Sequence, residues 1–210
     1  MRSERVRVLA EIALTIALCA VLMFLGIRLP WNYAGGNISL AMLPILILAV
    51  RRGVLAAAIA GAAFGVVDFI FEPFAVAPIQ VLLDYPVAFA LLSVAGFGSR
   101  QYRALVSSGR RAAAEAVALP WMILGAAGRF AAHFISGMVF FGANAPEGTP
   151  VWIYSAGYNL SYVVPSLILS IIVALIVLPV LEAAVPVTPL GSGRLATGKA
   201  PLSAGGHLPW

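Results

Sequence analysis

The chain has 210 residues, of which 62% are hydrophobic and only 10% are charged. Soluble domains are roughly 45–50% apolar and about 25% charged, so this composition excludes an ordinary soluble domain and indicates an integral membrane protein. The formal net charge of +5 would favour nucleic acid as the partner of a soluble chain, but basic residues in a membrane protein mark its cytoplasmic side, and we expect no nucleic-acid partner.

Six apolar segments predict six transmembrane helices joined by short loops, since one span needs ~20 apolar residues. In chain order the predicted helices cover about residues 5–27, 39–50, 54–71, 78–98, 114–141 and 152–181. We therefore expect an all-α membrane protein with a six-helix transmembrane domain over residues 1–185. The remainder, residues 186–210, is rich in Gly, Pro, Ser and Thr and is expected to form a disordered cytoplasmic tail.

The basic residues favour one orientation of this bundle. Arginines precede helix 1, Arg51 and Arg52 follow helix 2, and the most basic predicted loop, between helices 4 and 5, carries Arg100, Arg103, Arg110 and Arg111. If both termini are cytoplasmic, every Lys and Arg except Arg28 and Arg129 lies on the cytoplasmic side. This asymmetry follows the positive-inside rule, so we expect a multi-pass protein of the bacterial plasma membrane with both ends inside.

Helix 3 has a stripe of small residues that predicts close packing. The stripe recurs at intervals of three and four residues, on one helix face, and consists of Ala58, Gly61, Ala62 and Gly65. Small side chains let a second helix approach closely in a membrane, so a packing role is the expectation here.

Asp84 in helix 4 is the main exception to the apolar pattern. A carboxylate at membrane depth costs roughly 2.5–3.5 kcal/mol and normally faces a cavity or a partner. Counted from Pro78, Asp84 lies roughly 9 Å below the outer start of its helix. Its neighbour Tyr85 offers an aromatic ring, and an acid beside rings suits an organic cation.

Helices 5 and 6 carry further polar residues at the same predicted depth. Arg129, His133 and Gly137 share one face of helix 5, where His133 would bond either a ligand or another helix and Arg129 would neutralise an acid such as Asp84 or Asp68. Helix 6 brings Tyr154, Tyr158, Asn159 and Tyr162. We expect Tyr162 to be an interfacial membrane anchor, whereas the Asn159 amide both donates and accepts and suits a heterocycle.

Four motifs, in order, carry a resemblance to a known family. They are residues 37–44 (Asn-Ile-Ser-Leu-Ala-Met-Leu-Pro) leading to Arg51-Arg-Gly53, 78–86 (Pro-Ile-Gln-Val-Leu-Leu-Asp-Tyr-Pro), 129–137 (Arg-Phe-Ala-Ala-His-Phe-Ile-Ser-Gly), and 145–148 (Ala-Pro-Glu-Gly) with 154–159. With these motifs the chain resembles the ThiT family, the thiamine-specific substrate-binding (S) components of energy-coupling-factor (ECF) transporters. The resemblance covers roughly residues 7–181.

The resemblance implies a six-helix bundle that captures thiamine from outside and docks on a transmembrane coupling protein driven by two cytoplasmic ATPases. The positions that match the family's ligand site, with Trp31 as an outer-loop aromatic, are Trp31, Asp84, Tyr85, His133, Gly137, Phe141, Tyr154 and Asn159. Ala13 and Ala17 match its small-residue docking motif on helix 1. Some relatives carry Glu in place of Asp84 and Trp in place of Phe141, and both changes are expected to affect affinity more than ligand class.

The resemblance also implies that the chain is not an enzyme and needs no cofactor or metal, because the partner subunits hydrolyse ATP. Three alternatives stay open. The chain could be an S component for another vitamin or a thiamine precursor, an assembly or scaffold protein without a saturable small ligand, or an intramembrane enzyme that uses Asp68, Asp84 and His133. The last of these lacks a recognisable catalytic spacing.

Overall fold

The computed structural model describes residues 2–30 and 35–187. Trp31 lies outside the described residues, as does the predicted tail from residue 188 onward, so both expectations stay predictions. The described chain is almost entirely helical, and its one sheet is a short antiparallel pair of strands, β1 (Ile27–Arg28) and β2 (Asn37–Ile38).

The six predicted helices are confirmed. They are α1 (Arg2–Phe24), α2 (Leu43–Arg52), α3 (Val54–Phe71), α4 (Pro78–Ser107), α5 (Arg111–Phe140) and α6 (Val151–Ala184). Five of them are long and apolar enough to cross a membrane. The exception is α2, whose ten residues extend only about 15 Å, half of a hydrocarbon core of ~30 Å.

The short helix α2 forms the centre of the bundle. Eight of its ten residues are buried, and its side chains pack with those of the longer helices in the main apolar core. The arginines at its end fasten it to two neighbours: Arg51 Nε donates to Glu182 on α6 over 2.9 Å, and Arg52 pairs with Glu4 and Glu11 on α1. We call this end of the bundle, where Arg51 and Arg52 lie, the arginine end.

Helix α4 extends further than its sequence indicates. It was expected to end near Gly96 to Gly98, but it continues to Ser107, so Arg100 and Arg103 lie on a helix and not in a loop. The two glycines serve close packing inside a 3₁₀ stretch: a Cβ on Gly96 would lie 2.4 Å from the backbone nitrogen of Val54, and one on Gly98 would lie 2.2 Å from the Trp121 ring.

A π turn over Leu83–Val87 interrupts α4 at the candidate site. This turn contains Pro86, which lacks an N–H and would clash with the preceding turn of a regular α-helix. The wider turn accommodates that proline, and such turns are frequent at functional sites. The small residues of α3 pack here as expected, since a Cβ on Gly65 would lie 2.5 Å from the Tyr85 backbone and one on Gly61 2.3 Å from the Phe89 carbonyl.

Candidate functional site

A cavity of about 360 Å³ opens at the end of the bundle opposite the arginine end. Its walls are the ends of α3, α4, α5 and α6, the β1–β2 hairpin and the loop after α3. This volume is in the range typical of small-molecule sites. Seven of the eight predicted site residues line it, namely Asp84, Tyr85, His133, Gly137, Phe141, Tyr154 and Asn159. The structure therefore brings together residues that are far apart in sequence.

Asp84 is held by three donors of the protein. Gln80 Nε2 donates to its Oδ2 over 2.7 Å and Ser136 Oγ to the same oxygen over 2.9 Å, while His133 Nδ1 lies 3.2 Å from Oδ1. Arg129 Nε donates to His133 Nε2 over 3.3 Å, which assigns the ring proton to Nδ1 and makes it a donor to Asp84. A carboxylate has about four lone-pair positions, so one position on Oδ1 is left for a ligand.

Arg129 interacts with Asp68 by charge at a distance, and not by direct contact. Within residues 2–30 and 35–187 it forms no direct ion pair with Asp84 or Asp68; its guanidinium lies 4.3 Å from the centroid of the Phe89 ring and bonds His133. A cation over a ring face is attracted by the ring quadrupole, which offsets part of the cost of burying the charge. Arg129 therefore orients His133 and contacts Asp84 only through that residue.

Gln80 is a site residue that the sequence analysis missed. Its side chain is 1% exposed, and besides Asp84 it bonds the backbone of the loop after α3, donating to Phe74 O over 3.2 Å and accepting from Val76 N–H over 3.0 Å. Four residues separate Gln80 from Asp84, a spacing that places both on one helix face. From this spacing, a contact between Gln80 and Asp84 could have been predicted from the sequence.

Tyr85 fastens the same loop to α4. Its hydroxyl donates to the Glu72 carbonyl over 2.8 Å and accepts from the Phe74 N–H over 3.0 Å. Its ring packs edge-on against Phe69 at a centroid distance of 5.1 Å. Tyr85 therefore shapes the wall of the cavity as well as lining it.

Gly137 and Asn159 join α5 to α6 beside the cavity. A Cβ on Gly137 would lie 2.2 Å from Ser155 Oγ, so only glycine allows this contact. Asn159 Nδ2 donates to the carbonyl of Ser155 over 2.9 Å and to that of His133 over 3.3 Å, and its Oδ1 accepts from Tyr162 Oη over 2.6 Å. The Asn159 amide is thus engaged within the protein.

Three tyrosines of α6 form an aromatic wall. Tyr154, Tyr158 and Tyr162 recur every four residues, with ring centroids 5.9 Å and 6.3 Å apart. Tyr162 is only 3% exposed and lines the cavity, so the expectation of an interfacial anchor is wrong. Its ring fits under the hairpin because Gly36 leaves room there, since a Cβ on Gly36 would lie 2.6 Å from that ring.

The mouth of the cavity combines rings with an ion pair. Arg28 of the hairpin pairs with Glu72 at the end of α3, and Tyr158 Oη donates to the Gly35 carbonyl over 2.8 Å. Phe141 lies 5.8 Å from Phe74, centroid to centroid. The Arg28 and Tyr158 contacts hold the hairpin against the helices that line the cavity, and the Phe141 contact joins the loops after α3 and α5.

The predicted docking residues Ala13 and Ala17 do not line the cavity. Ala13 and Ala17 are exposed on α1, on a face that also carries exposed leucines.

Among the residues that the structure describes, no group of three His, Cys, Asp or Glu side chains is placed to hold a metal ion.

A bundle of apolar helices with a polar and aromatic cavity at one end defines a multi-pass membrane protein with a site of small-molecule size. A family model described as thiamine transporter protein (Thia_YuaJ) matches residues 9–185. The chain belongs to this family, which places it among transporters and not enzymes, in the bacterial plasma membrane.

Individual relatives agree with this assignment. The chain is 41% identical over 179 residues to the thiamine transporter ThiT of Bacillus subtilis, covering 82% of this chain and 90% of the relative. It is 34% identical over 148 residues to ThiT of Lacticaseibacillus paracasei, covering 69% and 74%. A solved structure of ThiT from Listeria monocytogenes superposes with a TM-score of 0.77 at 29% identity, covering 84% of this chain and 96% of that one.

Proposed function

We propose that this chain is the thiamine-binding S component of an ECF-type transporter and that the cavity binds thiamine. The observation that carries the proposal is the convergence of seven predicted ligand residues, from α4, α5, the loop after α5 and α6, on one cavity. The names of the relatives, thiamine transporters in two species, support the choice of ligand.

In the proposed complex the aminopyrimidine of thiamine bonds Asp84, His133 and Asn159. The free lone-pair position on Asp84 Oδ1 accepts from the exocyclic amino group, while Asn159 exchanges one of its present partners for a ring nitrogen. The rings of thiamine stack among the aromatic residues Trp31, Tyr85, Phe141 and Tyr154. Stacking and cation–π contacts with those faces favour a flat cationic ligand.

Transport in this proposal needs partner chains. The positive-inside rule puts the arginine end of the bundle in the cytoplasm. The cavity opens at the opposite end and in this proposal faces the outside of the cell. Thiamine enters there, and a transmembrane coupling protein with two cytoplasmic ATPases supplies the energy for its release inside. The exposed Ala13 and Ala17 of α1 form the docking face, because small residues let another helix approach closely.

Calorimetric titration of the detergent-purified chain with thiamine tests the ligand and the site. The chain should bind thiamine saturably, and Asp84→Asn should weaken binding at least tenfold, about 1.4 kcal/mol. Glu147→Gln is the matched control, because this carboxylate is exposed in the loop before α6 and does not line the cavity. Equal affinity of Asp84→Asn and the control would remove Asp84 from the site. Binding of riboflavin, biotin or hydroxymethylpyrimidine in preference to thiamine would reassign the ligand.

A further inference from the structure

Asp68 is an acid in the cavity that the proposed ligand contacts do not use. It lies on α3 one turn before the end of the helix, and its side chain lines the cavity beside Glu72 and Tyr85. Gly65, three residues earlier, packs α3 against the backbone of Tyr85. This contact brings the Asp68 end of α3 close to the segment of α4 that carries Asp84.

Every other charged side chain that lines the cavity has a direct partner. Glu72 pairs with Arg28, Asp84 accepts from three donors, and Arg129 lies over a ring and bonds His133. Asp68 differs from these groups. In the part of the chain that the structure describes, its carboxylate has neither a hydrogen bond nor an ion pair, and Arg129 attracts it only from beyond contact distance.

An unpaired carboxylate inside an apolar bundle is expensive. Such residues normally face a partner or serve a ligand. A permanent positive charge of a ligand would remove this cost when it enters the cavity. In water-poor surroundings the attraction between the two charges is much stronger than in bulk solvent.

We propose that Asp68 is the counter-ion for the positively charged ring of the ligand and that it makes the cavity select cationic over neutral ligands of the same shape. The inference rests on the proposed function, since thiamine carries its permanent charge on the thiazolium ring. In this arrangement Asp84 and His133 bond the aminopyrimidine, and Asp68 balances the charge of the thiazolium.

The rival explanation is that Asp68 only balances Arg129 across the cavity without touching a ligand. The two explanations differ in how the charge of the ligand matters. If Asp68 is the counter-ion of the ligand, its replacement lowers the affinity for thiamine but not for an uncharged analogue. If Asp68 only balances Arg129, its replacement changes the shape and stability of the cavity and lowers both affinities equally.

The test measures affinities of the purified full chain for thiamine and for a neutral isostere in which a thiophene replaces the thiazolium. The unmodified chain should prefer thiamine at least tenfold. Asp68→Asn should lose at least tenfold in affinity for thiamine and less than about twofold for the isostere, and Asp68→Glu should retain the preference. Glu147→Gln is the control, because this acid is exposed in the loop before α6, does not line the cavity and should leave the preference within about threefold.

Three results would overturn the inference. The first is a preference below threefold in the unmodified chain, which needs no variant and so does not depend on whether Asp68→Asn folds. The second is an equal loss for both ligands in Asp68→Asn, which would assign Asp68 to Arg129. Failure of the unmodified chain to bind either ligand would overturn the proposed function itself, a result distinct from the other two.

Discussion

Single polar residues in the apolar bundle determine the electrostatics of the cavity. Asp84 accepts from Gln80, Ser136 and His133, so its charge is stabilised without a direct ion pair in the described part of the chain. Hydrogen bonds to a charged group are worth about 1.5–3 kcal/mol each, more than bonds between neutral groups. The donors therefore make it possible to keep an acid at this depth before any ligand arrives.

Gln80→Leu should weaken thiamine binding by about tenfold and lower the melting temperature. The substitution removes the donor to Asp84 Oδ2 and leaves the Phe74 carbonyl and the Val76 N–H without the amide, each of which costs about 1–3 kcal/mol if it stays unpaired. Titration and thermal unfolding in detergent measure the two effects. Gln101→Leu is the control, since Gln101 is exposed on the same helix; indistinguishable results for the two variants would show that the Gln80 bonds do not matter.

Individual elements place these residues by close backbone contact. The π turn of α4 packs at Tyr85 against α3, where Gly65 allows the approach, and Gly61 allows a similar approach at Phe89. On the other side of the cavity, Gly137 of α5 brings Ser155 and Asn159 of α6 within reach. The cavity is therefore formed by helix packing at glycines as much as by the polar residues that line it.

Gly137→Ala should destabilise the fold by about 1–3 kcal/mol, because its Cβ would lie 2.2 Å from Ser155 Oγ, so that this hydroxyl loses its bond to the Phe134 carbonyl or α6 moves. Thiamine affinity should fall with it, since Asn159 packs against the same position and bonds Ser155. Gly157→Ala on α6 is the matched control: no atom lies within 4 Å of the added Cβ, and replacing a helical glycine by alanine gains about 0.8–1.0 kcal/mol of helix propensity. A Gly137→Ala protein as stable as the Gly157→Ala protein would contradict this packing.

How far the sequence predicts this molecule depends on the kind of signal at each residue. Polar residues within apolar segments predicted Asp84, His133 and Asn159 as candidates, which the fold brings to one cavity, and hydrophobicity with basic loops predicted six helices. Gly96 and Gly98 were misread because a glycine that ends a helix and one that packs against another chain segment look alike in sequence. Tyr162 was misread for a similar reason, since burial of a tyrosine depends on its neighbours in space.

At the scale of the whole molecule, the candidate ligand cavity and the proposed docking face occupy different surfaces. The cavity lies at one end of the bundle, whereas Ala13 and Ala17 lie on the exposed side of α1. Neither alanine lines the cavity, so the two proposed roles should be separable by mutation.

Replacing Ala13 and Ala17 by leucine should abolish thiamine uptake in cells that contain the partner chains, while the purified variant keeps its thiamine affinity. Bulky side chains would prevent the close helix approach that small residues permit. Ala127→Leu on α5 is the control, since Ala127 is also small and exposed. Normal uptake by the double variant would show that docking uses another face of the bundle.

The measurement that tests the central claim most directly is tryptophan fluorescence of the purified chain during titration with thiamine. In sequence Trp31 lies between Arg28 and Gly35, which both line the cavity, and its stacking on the ligand should quench its emission. We predict saturable quenching at nanomolar to micromolar thiamine, strongly reduced in Trp31→Phe and shifted to higher concentration in Asp84→Asn. A folded chain whose emission and heat of mixing do not respond to thiamine would contradict the assignment of the ligand.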